Sequence, residues 1–276
     1  MKTKIFVLLI TLLTVASGMA QNQEEDKLFT IKRSPEPFLF STTTLTPEDL
    51  KWSLDYSGSY GQRVSGPFGY DGVGQQFAVK GYLGNRFTCY ASTSLGFSSG
   101  ENVLSAQRAE ILRDFIGGKK SYGLRVGLGM GVGRDYYSVI SMLSRATLSF
   151  DAPRWKAGGN LLFEKAFARN RDQIDVISSV GFHYNLLGKL YGGFEAVGED
   201  LEGFWDKEEA EGGAKLLIGP SLNMTTNNSR ISFSVSGGPV FYATRSPLTN
   251  PDAMRDLPSQ PGFSLRARVI FNLFGS

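Results

Sequence analysis

YGLRVGLGMGV, residues 122–132, sends Tyr122, Leu124, Val126, Leu128, Met130 and Val132 to one side of an extended chain. Gly123, Arg125, Gly127, Gly129 and Gly131 go to the other. Successive side chains of a strand point to opposite faces, so this segment has one greasy face and one that is polar or bare. The same alternation runs through Ile231, Phe233, Val235, Gly237, Pro239 and Phe241, and again through Phe263, Leu265, Ala267, Val269, Phe271 and Leu273. Followed outward, it predicts strands at 51–61, 74–84, 86–97, 106–116, 121–133, 137–150, 155–167, 173–186, 189–199, 213–223, 229–242 and 262–274. These run 11 to 14 residues. Strands of soluble sheets average about 5–6, whereas a tilted strand crossing a bilayer needs roughly 9–11.

The connections alternate in length. Asn85, Gly117–Lys120, Asp151–Arg154, 187–188 and 224–228 are compact and turn-forming; those between them, such as 62–73, 200–212 and 243–261, are mostly longer. Short turns at one end and longer loops at the other are the rhythm of a transmembrane barrel. The expected fold is therefore all-β, a closed antiparallel transmembrane β-barrel of about twelve strands with short periplasmic turns and longer extracellular loops. Leu104–Ile116 (LSAQRAEILRDFI) also fits a short helix, and closure decides for a strand because neighbours must run antiparallel in an even count. Pro220 and Pro239 each lack a ladder donor, so a bulge or strand end is expected near both. Trp52, Tyr60, Phe87, Phe97, Tyr122, Trp155, Phe241 and Phe271 fall near strand ends, where interfacial girdles lie.

The chain has 276 residues, 33 of them glycine. Lys2 and Lys4, an apolar run from Ile5 to Val15 and the small residues before Gln21 read residues 1–20 as a cleaved signal peptide. Eleven apolar residues rise only about 16 Å as a helix, too little to anchor across a ~30 Å hydrocarbon core. Residues 21–50 lie outside the strand pattern. Their default reading is a periplasmic N-terminal segment; a weaker one is an extended piece in the barrel mouth, motivated by Phe29, Ile31, Phe38, Leu39 and Phe40. Residues 51–276 form the barrel. Removing Lys2 and Lys4 leaves a net charge of +1, which speaks against nucleic acid. Cys89 and His183 are single, which excludes an internal disulfide and a Cys/His zinc site, and no metal or other cofactor is called for.

The signal peptide, the long alternating strands and a closing amphipathic strand with Phe274 near its end resemble bacterial outer-membrane β-barrel proteins. The short Gln-rich mature start is similar to such proteins of Bacteroidota. The resemblance covers residues 51–276 as architecture. It implies residence in the outer membrane of a Gram-negative cell among lipid and lipopolysaccharide, and insertion by the barrel-assembly machinery. That machinery reads a terminal aromatic, which here is followed by Gly275 and Ser276.

Alternation sends Asp55, Lys80, Arg125, Arg145, Lys156, Glu164, Asp175, Glu195, Lys215, Arg266 and Arg268 into the lumen, together with His183. Seven basic groups against four carboxylates suggest a polar pore with a mild anion preference; the same charges could instead pair and fill the bore. A second candidate is the loop EDLEGFWDKEEAE, with Glu199, Asp200, Glu202, Asp206, Glu208, Glu209 and Glu211 around Trp205. Its spacing is not that of an EF-hand, and a solvated charge run is the plainer reading. His183 is the single possible imidazole base, and no Gly-x-Ser-x-Gly elbow accompanies it, so no catalytic residue is assigned. The glycine string 127–133 has strand alternation rather than the strand–turn–helix setting of a nucleotide site. The expected function is non-enzymatic: a narrow channel or transporter for small polar solutes, selecting by charge. A closed structural or adhesive barrel acting through its loops comes second, and an outer-membrane hydrolase a remote third.

Overall fold

The computed structural model describes residues 36–47, 49, 52–97, 103–117, 122–168, 174–205, 214–226, 230–243 and 261–273. Twelve strands follow in chain order: β1 (Trp52–Gln62), β2 (Gly72–Gly84), β3 (Phe87–Phe97), β4 (Leu104–Ile116), β5 (Gly123–Arg134) and β6 (Ile140–Asp151). The second half holds β7 (Trp155–Ala166), β8 (Asp175–Leu187), β9 (Leu190–Glu199), β10 (Lys215–Thr225), β11 (Ile231–Tyr242) and β12 (Gly262–Asn272). Each pairs antiparallel with its sequence neighbours, and β1 pairs with β12 from Ser53↔Asn272 to Gln62↔Phe263, leaving no open edge. The fold is a closed twelve-stranded barrel. The strand ends differ from those expected by three residues at most.

One rim carries the compact connections after β2, β4, β6, β8 and β10, and we call it the turn rim; the opposite one is the loop rim. At the first turn Asn85 and Arg86 have φ of 49° and 68°, the left-handed pair of a type I′ hairpin. Alternation is carried through as burial. In β6, Ser141, Leu143, Arg145, Thr147 and Ser149 are buried in the lumen, while Ile140, Met142 and Leu148 are exposed outside. On the outer face Phe150, Trp155, Phe182 and Phe194 form a continuous row near the turn rim, with successive centroids 4.8, 6.1 and 6.1 Å apart.

The segment that also fitted a helix is strand β4, with Ile111 and Phe115 outside and Glu110, Leu112 and Asp114 inside. The prolines behave differently from expectation. Neither sits at a bulge or a strand end: the β10–β11 ladder lapses between Leu217↔Val240 and Ser221↔Ser236, then resumes in the same register. Pro220 and Pro239 occupy that gap and keep their pairings on the far side, with Phe194 and Phe263. Register shifts occur instead at Tyr82/Gly84, Asp114/Ile116 and Asn185/Leu187, all beside the turn rim.

Residues 36–47 overturn the default expectation of a tail. This stretch has no regular secondary structure and lies inside the barrel, with Glu36, Phe38, Leu39, Ser41, Thr43, Thr44, Leu45 and Thr46 all buried. We call it the strap. Residues 1–35, including the expected signal peptide, lie outside the described residues.

The strand assignment of β4 has a measurable consequence. Leu112→Ala empties a buried lumen position and is expected to cost about 2–5 kcal/mol, whereas Ile111→Ala, on the outer face, should cost under about 1 kcal/mol. Urea unfolding of the two folded variants measures the difference; equal losses would contradict the alternation.

Candidate functional site

A chain running through a barrel without joining its ladder needs partners for its own peptide groups. Wall side chains provide them. Glu195 on β9 accepts the N–H groups of Leu39 and Phe40 through one carboxylate oxygen, at 2.8 and 2.9 Å. Asn160 on β7 accepts from the Thr42 N–H at 2.7 Å and donates to the Thr42 carbonyl at 2.8 Å. Thr88 accepts from the Leu45 N–H at 2.8 Å, Arg125 donates to the Thr44 carbonyl at 2.8 Å, and Arg268 donates to the carbonyls of Glu36 and Phe38 at 2.8 and 2.7 Å.

The strap's side chains are seated as well. Glu36 pairs with the fully buried Lys80 and lies 3.3 Å from Arg268. Thr44 donates to Asp114. Phe38 lies against His183, centroids 4.7 Å apart, over two bare wall positions: a Cβ on Gly181 would stand 2.4 Å from its ring, and one on Gly158 3.1 Å.

Most of the remaining lumen charges pair with one another. Arg145 meets Glu110 through two bonds of 2.6 and 2.8 Å and reaches Asn160 at 3.0 Å. Arg125 binds Asp151 at 2.9 Å, Lys215 binds Glu199 at 2.7 Å, and Lys156 lies 4.8 Å above the Tyr191 ring. Asp55 is buried beside Glu36, Lys80 and Arg268, and Asp175 is buried at the loop end of β8. The excess of bases expected from alternation is therefore offset by four further buried carboxylates outside the expected lumen set: Glu36, Glu110, Asp114 and Glu199. Three of these have identifiable signals. Glu110 and Asp114 lie on the alternating inner face of β4, and Glu199 is the last residue of β9, not part of a solvated loop.

Above the strap, towards the loop rim, the lumen holds a cavity of about 890 Å³. Its floor includes Glu36, Leu39, Phe40, Ser41 and Thr42, and its walls are rich in Ser57, Ser59, Ser92, Ser94 and Gln76, with Arg108, Arg266 and Arg268. The loop between β1 and β2 bends into this mouth. Its Phe68 is fully buried with Val64 against Val197, Leu217 and Val240, where Phe40 of the strap also packs. Ser264 holds the Phe68 carbonyl at 2.5 Å, and the Tyr242 hydroxyl donates to the Arg63 carbonyl.

His183 is fully buried beneath Phe38 and does not line the cavity. Its Nε2 lies 2.8 Å from the Ser221 hydroxyl, which donates to Glu195 at 2.5 Å. With its proton committed to Glu195, Ser221 can only accept from His183, so the imidazole carries its proton on Nε2 and cannot act as base toward that serine. Nothing among the described residues holds Nδ1. The Glu–Ser–His order is a structural brace beneath the strap rather than a triad.

Of the acidic-loop residues, Glu202 and Trp205 are exposed, while Asp206, Glu208, Glu209 and Glu211 lie outside the described residues. Among the described residues no cluster of His, Cys, Asp and Glu could hold a metal ion. Asp200 turns the chain out of β9 with φ 48° and accepts the Val176 N–H at 2.9 Å. Burial pushes its carboxyl up to about 6; the Val176 bond opposes this and the neighbouring Glu199 and Asp175 add to it.

A scan of protein-family models gives no match, and a search of curated proteins gives none. Solved structures do match. The NanC porin is similar with a TM-score of 0.55 and 11% identity over 80% of this chain and 100% of that one. The fold is that of the outer-membrane porins. A structure described as KdgM porin in complex with disordered oligogalacturonate gives a TM-score of 0.53 and 11% identity, covering 80% of this chain and 99% of that one. At such identity the porin likeness is one of architecture.

Two outcomes are expected at this site. Arg145→Met leaves buried Glu110 with only Arg108, 3.8 Å away, and should cost about 3–5 kcal/mol in urea unfolding, most of it recovered by adding Glu110→Met. Asp200 has a folded value above the carboxylate's ordinary 3.8, so folding favours its protonated form. Its stabilising effect is full below about pH 4 and lost as pH rises through about 6. Asp200→Asn, which keeps the acceptor for Val176, should flatten that part of the pH dependence of thermal stability and raise stability at pH 7.5.

Proposed function

We propose that this chain is an outer-membrane channel for small polar solutes, shut in the conformation described by the strap. The exposed outer face carries Leu128, Met130, Leu148, Phe194 and Phe233, and needs only lipid around it. Short turns on one rim support a reading in which the turn rim faces the periplasm and the cavity's mouth faces outward. The observation that carries the reading is what fills the bore. In the turn-side half, wall positions such as Gly158 and Gly181 are bare, and the volume they leave is taken by Phe38 of a segment that is not part of the wall. A barrel closed for good could fill that space from its own strands. Here the stopper is a piece of chain held by hydrogen bonds and ion pairs, and moving it would join the outer cavity to the periplasm.

One observation favours the second reading, a permanently closed barrel acting through its loops: Arg145–Glu110 and Lys215–Glu199 are satisfied pairs inside the lumen. Conductance decides between the two. The chain from Gln21, refolded into a planar bilayer, is expected to open rarely. Deletion of 21–47 should give steps several-fold larger or more frequent. Gly181→Leu, which occupies the seat of Phe38 without altering the strap, should shift the protein the same way. Silence from all three, in samples whose heat-modifiable electrophoretic mobility shows them folded, would remove the channel and favour the closed barrel.

A further inference from the structure

Lys80, Arg108, Arg125, Arg145, Lys215 and Arg268 each have a carboxylate within 4.0 Å. Arg266 has none among the described residues, although it stands in the same wall and borders the cavity. Its contacts are weak. One terminal nitrogen is 3.5 Å from the Leu39 carbonyl and the other 3.4 Å from the Pro67 carbonyl, both beyond the ordinary 2.7–3.2 Å range. The guanidinium carbon lies 4.6 Å from the centre of the Phe40 ring. A guanidinium offers five N–H donors in a planar fork, and here most of that capacity is unspent at the edge of the cavity. A cation in that position, with no carboxylate among the described residues within 4.0 Å and Glu195 as a more distant counter-charge, is held at a cost that an anion in contact would relieve.

The two carbonyls that Arg266 touches belong to different pieces of the closure. Leu39 is in the strap, and Pro67 is in the inward-bent loop between β1 and β2. At the site, Gly69 of that loop has φ +121°, and a Cβ there would stand 3.9 Å from the guanidinium, so the approach is nearly bare. Tyr136, whose hydroxyl bonds Ser94, and Tyr90 stand nearby as neutral donors.

We propose that Arg266 is the receptor for the carboxylate of an incoming solute, and that its occupation releases the strap. This rests on the channel reading above. A carboxylate takes two parallel charge-assisted bonds of about 2.7–2.9 Å from a guanidinium, stronger than two long bonds to neutral carbonyls. The fork then turns from Leu39 and Phe40 towards the solute. The strap loses one of its ties to β12, the one at the level where Glu195 holds the adjacent N–H groups, leaving those of Arg268 nearer its start. The ligand class is a monocarboxylate on an uncharged polar body. The body faces serine and glutamine, while further negative charge would meet Glu36 and Glu195.

The test uses the full chain from Gln21 in planar bilayers, with sodium gluconate as probe and sorbitol as its uncharged counterpart. In wild type, gluconate added on the loop side is expected to raise opening frequency about fivefold or more, and sorbitol to leave it unchanged. Arg266→Gln should abolish the response, and Arg266→Lys, which keeps charge but loses the fork, should retain only part of it. An equal response in Arg266→Gln, an equal response to sorbitol, or a conducting wild type indifferent to gluconate would each overturn the proposal. Calorimetric titration of the detergent-folded protein separates this from the channel reading. A protein that never conducts, even without residues 21–47, overturns the channel and with it strap release. Gluconate binding weakened about tenfold or more by Arg266→Gln would still locate the receptor.

Discussion

Every peptide N–H and C=O removed from water must find a partner, and this molecule meets that constraint twice by different means. The wall meets it through a ladder that closes on itself at β1 and β12. The strap cannot, because no strand edge remains for it to join. Its peptide groups are satisfied one by one by side chains that the wall aims inward: a carboxylate for the Leu39 and Phe40 N–H groups, an amide for both groups of Thr42, guanidinium groups for three carbonyls. Much of the lumen's polarity is in this sense a mould for a backbone.

That origin changes how the interior charges are understood. A polar lumen suggests a path for ions, yet most of these groups are spent on one another or on the strap. The few contacts that are long and unbalanced therefore carry more information than the many that are short. Pairs such as Arg145–Glu110 set shape and resist change, since breaking one leaves a buried charge alone. Arg266, with two carbonyls at 3.4 and 3.5 Å and an aromatic face, can exchange its partners at little loss.

The fold was legible because a strand that faces lipid on one side and a polar lumen on the other writes its geometry into alternate residues. The strap wrote nothing of that kind. Glu36 to Pro47 has no period, and its burial depends on wall residues 40 to more than 200 positions away, which one sequence does not connect. Some trace of it was nevertheless present. Asn160 and Glu195 are inward groups with more hydrogen-bonding capacity than neighbouring strands could use, and Gly158 and Gly181 leave a hole of aromatic size on adjacent strands. The surplus of lumen cations was misjudged for a local reason: the Glu110 and Asp114 positions lay in the segment whose spacing also suited a helix, so its inner face went uncounted. A missing donor suggests a defect at each proline of β10 and β11; lying two residues out of register with each other within the same gap of a single ladder, they share one interruption and leave the register untouched.

The strap is pinned by residues drawn from both ends of the wall. Lys80 belongs to the second strand, while Arg268 and Arg266 belong to the twelfth, 227 to 232 positions beyond their contacts in the strap. Contacts so distant in sequence carry a loop-closure cost that must be met before they stabilise anything. A barrel stalled short of β12 has no guanidinium for the carbonyls of Glu36 and Phe38, so the start of the strap lacks those two bonds. Full docking of the strap thereby depends on a finished molecule: the stopper has all of its ties only once the last stave of the cask is in place.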